Sequence, residues 1–172
     1  MYEPLISKMS RAGFTALLLD VDVLNDTNHS SQIDVLAAEM TRCLRSPPPS
    51  VGVPPFPPVL VARHASCILA EVYASSNPIT ALQLIDPPVS LSQAAHRFPE
   101  LPHNVSEVEL NFEALFPLRV SWTKEELPQH EMHRIEEAQE SEIGEGFERS
   151  VWPSLEAGAQ DMLDWMENEI GL

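Results

Sequence analysis

The side chains best suited to chemistry crowd one stretch, Pro58 to Pro88, which holds His64, Ser66, Cys67 and Asp86. An imidazole can act as base, nucleophile or ligand. A hydroxyl or thiol can attack a carbonyl, and a carboxylate can orient an imidazole. Their positions follow from the pattern around them. Val59-Leu60-Val61-Ala62 is a short apolar, β-branched run that predicts a buried strand. Ile68 to Ala74 has helical apolar spacing and stops at Asn77-Pro78, and Ala81 to Ile85 is a second apolar run ending at Asp86-Pro87-Pro88. This is a βαβ unit, and the C-terminal ends of parallel strands are where ligands and chemistry gather. His64 follows the first strand, and Asp86 follows the second. Ser66 and Cys67 open the helix, where a thiolate gains from the helix N-terminus. The plain alternatives are packing for Ser66 and Cys67, an inert imidazole for His64, and a surface-loop or helix-cap role for Asp86.

Metal and cofactor chemistry finds little support elsewhere. His130-Glu131-Met132-His133 spaces its histidines at i,i+3 and nominates no third ligand, so it is not the HExxH zinc signature. It falls in Lys124 to Glu140, a very polar run that predicts a solvent-facing helix. Cys43 and Cys67 are far apart, without metal or disulfide spacing, and point to a reducing compartment. No cofactor or metal is expected.

Between the strand Val59-Leu60-Val61 and the helix end Tyr73-Ala74-Ser75-Ser76-Asn77-Pro78, the run Ala62-Arg63-His64-Ala65-Ser66 aligns without insertion with Gly-x-Ser-x-Gly. The segment thereby resembles the nucleophile elbow of the α/β-hydrolase superfamily. The resemblance places His64 where the family carries its serine. Ala62 and Ser66 keep the small size of the flanking glycines. Pro117 to Glu126 resembles the seventh strand and its acid loop, which puts Glu126 at the acid position. Asp86, at the end of the sixth strand, is the acid site in some members. Ser150-Val151-Trp152-Pro153-Ser154-Leu155-Glu156 fits the frame before the closing helix, with Val151 where the family has its histidine. A valine cannot take a proton, so the resemblance implies a scaffold without its serine or its general base.

The resemblance extends to both ends. Tyr2 to Gly13 resembles the helix after the family's third strand, with Gly13 as its C-terminal stop, and Phe14 to Asp20 resembles the fourth strand. The third strand, whose loop supplies an oxyanion-hole N–H, normally lies between the fourth and fifth strands. Its counterpart would precede Met1, so either the flanking strands pair directly or another chain fills the slot. A third option is that the sequence is a truncated gene model or a fragment of a longer gene product.

The expected architecture is a single α/β domain over residues 1–172. It has three layers, with a mostly parallel sheet of about five strands and helices on both faces. A helix is predicted from about Ser31 to Leu44, capped by Ser30 or Ser31, and another from Leu155 to Ile170 with a Trp/Met stripe. Residues 46–58 hold seven prolines in thirteen positions, a stiff, extended connector. Residues 87–115 stand in place of the family's cap domain but are short and interrupted by Pro99 and Pro102, leaving any pocket shallow.

Charge narrows the partners. The net charge is −16, of which −14 falls from Glu100 onward. Such a field repels nucleic acid and anionic membranes. No apolar run approaches the ~18 residues of a membrane span, and the N-terminus lacks a signal pattern. The expected location is the cytoplasm, where the sequons at Asn25, Asn28 and Asn104 carry no meaning. The expected function is a catalytically inactive, hydrolase-like protein with a binding or regulatory role. One alternative is an ester or acyl hydrolase working through Ser66 or Cys67 with His64 and Asp86 or Glu126. Another is an acidic protein-interaction module, and a protein partner could complete the sheet edge.

Overall fold

The computed structural model describes residues 2–19, 33–46, 57–99, 101, 105, 115–128, 132–135 and 147–171. The sequon asparagines, the candidate N-caps Ser30 and Ser31, most of the proline-rich connector, and residues 100, 102–104 and 106–114 of the cap-like segment lie outside these residues. The elements are α1 (Glu3–Arg11), α2 (Ile33–Arg45), β1 (Val59–Arg63), α3 (Ser66–Ser76), β2 (Ala81–Ile85), α4 (Leu91–Arg97), β3 (Leu118–Thr123), β4 (Phe147–Trp152) and α5 (Leu155–Trp165). A π-helical turn, Met166–Ile170, continues α5.

Local chemistry explains most boundaries. Gly13 ends α1 at φ +94°, with Phe14 N–H bonded to Met9 O (3.0 Å) and Gly13 N–H to Ser10 O (3.2 Å). This is the paired-bond C-cap in which glycine adopts the left-handed region without a Cβ penalty. Ser90 caps α4 through Gln93 N–H, and Ser154 caps α5 through Ala157 N–H. Asn77, extended and followed by Pro78, closes α3.

The four strands form one all-parallel sheet in the order β1-β2-β3-β4. Every residue of β2 and β3 is buried, whereas β1 alternates half-buried with buried and β4 is largely exposed. That is the expected gradient, because central parallel strands are covered on both faces and edge strands are not. Side chains alternate between two apolar clusters. Leu60, Ala62, Leu82, Leu84, Leu118, Val120 and Trp122 join Met40, Leu44 and Tyr73 under α2 and α3. On the opposite face Ala81, Ile85 and Trp152 meet Leu5 of α1 and Ala159, Met162 and Trp165 of α5. The protein is therefore a three-layer α/β domain, as its pattern predicts, with four strands among the described residues rather than about five.

The difference lies at Phe14–Leu19, predicted as a strand. It packs Phe14 into one cluster and Leu17 and Leu19 into the other, yet it joins no ladder. A strand is defined by its pairing, and no neighbour among the described residues supplies one. The expected helix at 124–140 is corrected at its start only: Arg134 and Ile135 are helical, and residues 129–131 and 136–140 lie outside the described residues. Residues 124–126 form a turn, and His133 and Ile135 are buried rather than on the surface. Glu71 of α3, itself 1% exposed, pairs there with Arg134 and lies 3.9 Å from His133 Nε2. The polar character of that segment serves a buried ion pair, which a solvent-facing periodicity does not anticipate.

Candidate functional site

The turn from β1 to α3 carries His64 at φ +56°, a left-handed conformation rare for a residue with a Cβ. Its backbone is held from two directions. His64 N–H donates to Ile85 O (3.0 Å), and His64 O accepts from Cys67 N–H (3.0 Å). The preceding residue is pinned as well. Arg63 N–H donates to Ser66 Oγ (3.0 Å), whose own hydroxyl donates to Arg63 O (2.8 Å). Tyr2, at the start of α1, closes this loop with its hydroxyl 3.1 Å from Ser66 Oγ and 3.4 Å from Arg63 O. Strain of this kind, about 1–3 kcal/mol, persists where surroundings over-determine the backbone.

Asp86 ends β2, also at positive φ (+48°). The loop or cap role expected for it does not match its environment, since the residue is 0% exposed. The neighbouring strand ends enclose it. Its Oδ1 accepts from Thr123 N–H (2.6 Å) and Thr123 Oγ1 (2.9 Å), and its Oδ2 accepts from Arg63 Nε (2.9 Å) with Arg63 Nη2 at 2.8 Å. One carboxylate thus ties together the C-terminal ends of β1, β2 and β3.

Glu126 sits in the turn after β3, where Glu126 N–H bonds Thr123 O (3.0 Å). Its carboxylate holds Arg97 of α4 at 2.6 Å. The two acids flank the imidazole: His64 Nε2 lies 3.8 Å from Asp86 Oδ2 and 3.9 Å from Glu126 Oε1. These distances are too long for direct hydrogen bonds, and His64 Nε2 is buried without a hydrogen-bond partner. Phe98 stacks near the ring, with centroids 6.1 Å apart, and Arg97 lies over Phe98.

Burial is the main force on His64, pushing its pKa below the ordinary value, and the Arg63 guanidinium pushes the same way. Asp86 and Glu126 oppose this without overturning it. The imidazole is therefore neutral at pH 7 and able to accept a proton. Its surroundings read Arg97, Glu126, His64, Asp86, Arg63, two cations and two anions around one neutral ring.

The remaining sequence candidates fall outside this cluster. Cys67 is 0% exposed, its Sγ lies 3.6 Å from Ile85 O, and burial pushes its thiol well above the usual range. The helix N-terminus does not offset that desolvation. The Ser66 hydroxyl is taken up by Arg63 and Tyr2. Val151 lies on β4, in register with Trp122, with three strand spacings, about 14 Å, between β4 and β1. Among the described residues, no group of three or more His, Cys, Asp or Glu side chains is arranged to hold a metal, and no helix is long and apolar enough to cross a membrane.

Four members of the site are not among the sequence candidates. Arg63, the pair Arg97-Phe98 and Thr123 belong to three separate segments, and only the adjacency of β1, β2, β3 and α4 brings them together. Thr123 had one faint cue, its place at a strand C-terminus. Comparison with known proteins returns no match: no protein family, no curated protein and no solved structure resembles this chain significantly. What fold and site define is a parallel α/β domain with a strained histidine at a strand-to-helix turn.

Proposed function

We propose that this chain is an α/β-hydrolase-like protein without hydrolytic activity, whose retained scaffold serves binding or regulation. The observation that carries the reading is His64 at φ +56° between a parallel strand and a helix. That is the backbone a nucleophile elbow requires, bearing a residue with no hydroxyl. The consecutive parallel strands, with α1 and α5 on one face and α2 and α3 on the other, support the same reading. So do the buried thiol of Cys67, the committed hydroxyl of Ser66 and a valine at position 151. A fluorophosphonate probe, which labels activated serines, is expected to leave the protein unlabelled. Strong labelling that Ser66→Ala abolishes would overturn the reading.

One observation favours a second reading, an ester hydrolase with a rearranged site. A neutral imidazole stands beside two carboxylates at the heads of parallel strands, an arrangement that suits a general base. Turnover of short-chain p-nitrophenyl esters above background, lost in His64→Ala, would establish it. Activity equal in both proteins would remove it.

A further inference from the structure

The backbone hydrogen bonds of β1 can be accounted for residue by residue. Leu82 and Asp86 direct their N–H groups to Pro117 O (3.0 Å) and Ser121 O (2.8 Å), so the even-numbered residues of β2 face β3. His64 N–H bonds Ile85 O, so the even-numbered positions of β1 face β2. With a period of two, Val59, Val61 and Arg63 turn their N–H and C=O groups to the open edge. Arg63 is already satisfied there by Ser66 and Tyr2. Val59 and Val61 have no such partner among the described residues.

A second segment has the same deficit. Phe14 N–H closes the α1 cap, but Thr15 to Leu19 make no backbone hydrogen bond among the described residues. Phe14 packs into the cluster under α1 and α5, and Leu17 and Leu19 pack into the cluster under α2 and α3. Only a chain lying in the plane of the sheet can feed cores on opposite faces in this way. The helix before it is pinned to the β1 end by Tyr2, and the helix after it packs on α3. Two in-plane segments therefore carry unpaired backbone groups and do not bond each other. Such main-chain groups are left to solvent unless another strand pairs with them.

We propose that the β1 edge and Phe14–Leu19 form the two sides of a slot for one extended strand of another polypeptide. That strand is apolar on both faces and flanked by lysine or arginine. Main-chain donors and acceptors at strand spacing recognise another strand's backbone. Apolar clusters on both faces call for apolar side chains at successive positions. The net charge of −16, most of it carried from Glu100 onward rather than by the slot's own segments, favours a basic partner at long range and opposes a second copy of the same chain. The slot goes beyond the inactive-hydrolase reading and stands or falls without it.

The test is amide hydrogen exchange followed by NMR, with and without a synthetic probe, Lys-Lys-Val-Ile-Val-Ala-Val-Lys-Lys. In the protein alone, the Val59 and Val61 amides are expected to exchange fast while Leu60 and Ala62 stay protected. The probe is expected to slow Val59 and Val61 at least tenfold. Val61→Pro, which removes an outward donor without touching the β2 ladder, is expected to weaken probe binding at least tenfold. If that variant does not fold, a probe N-methylated at alternate residues applies the same block to the unaltered protein. Protection of Val59 and Val61 without probe would overturn the proposal. Protection independent of protein concentration would mean the chain's own residues fill the edge, and protection rising with concentration would make a second copy the occupant. Equal binding of the N-methylated probe would reduce the interaction to charge and overturn it too.

Discussion

Replacing Asp86 separates a structural carboxylate from a catalytic one. In Asp86→Asn the side chain keeps its shape, its tolerance of φ +48° and an acceptor for Thr123, but it turns an amide toward the Arg63 guanidinium. Removing one member of a buried ion pair costs about 3–5 kcal/mol. The Arg63 side chain is 16% exposed, so water offsets part of that loss, and about 2–3 kcal/mol is expected. Asp86→Ala also strands the Thr123 N–H, worth about 1–3 kcal/mol, and replaces a residue type that tolerates the left-handed region with one that does not, at about 1 kcal/mol more. The alanine variant should therefore lose about 4–7 kcal/mol, a large part of what holds an ordinary domain folded. Urea unfolding at pH 7 measures both, using the buried Trp122, Trp152 and Trp165 as fluorescent reporters. If both variants stay within about 1 kcal/mol of the parent, Asp86 does not bind the strand ends together and the reasoning is wrong.

Two further outcomes follow from the packing of α5 and the docking of residues 132–135. An ideal Cβ on Gly158 would lie 1.9 Å from Trp152 Cδ2, and Trp152 is fixed by its Nε1–H bond to Asp161 (2.6 Å). Gly158→Ala should thus destabilise by about 2–4 kcal/mol in urea unfolding, although alanine normally favours a helix over glycine by about 1 kcal/mol; a stabilised variant would refute the contact. Burial drives His133 down to about 4 from 6.5, and the nearby Glu71 carboxylate already pairs with Arg134. The folded state binds fewer protons than the unfolded one in that window, so stability is full above pH 6.5 and falls progressively toward pH 4, by roughly 3 kcal/mol. His133→Gln should flatten the slope of unfolding free energy between those pH values, and an unchanged slope would contradict the burial.

Much of the fold can be read from local pattern. Val59 to Ala62 and Ala81 to Ile85 are largely apolar runs of strand length, and the second is buried throughout. Arg119 and Ser121 interrupt the third strand, which only the resemblance of Pro117 to Glu126 suggests. Asn77-Pro78 and Gly13 punctuate their helices through backbone restrictions that act within a few residues. β4 is less legible. Phe147 to Trp152 holds Glu148, Arg149 and Ser150 in a row and shows no strand period, as an edge strand allows, and its Glu148 serves Arg119 of β3 (3.0 Å). Phe14 to Leu19 shows the opposite failure. Its composition is that of a strand, but pairing is a property of two segments, and no sequence window contains the second.

The candidate site divides along the same line. The sequence by itself determined that His64 follows a buried strand, that no serine stands at that turn, and that acids follow the next two strands. Those are statements about neighbours in the chain, governed by propensity and period. Only the tertiary structure decided that Asp86 is sealed among Arg63 and Thr123, that Glu126 and Asp86 bracket one imidazole, and that Cys67 is too deeply buried to ionise readily. Burial and the approach of charges depend on which strands lie side by side and what the helices cover. Those distances are set across tens of residues, where local sequence carries no information.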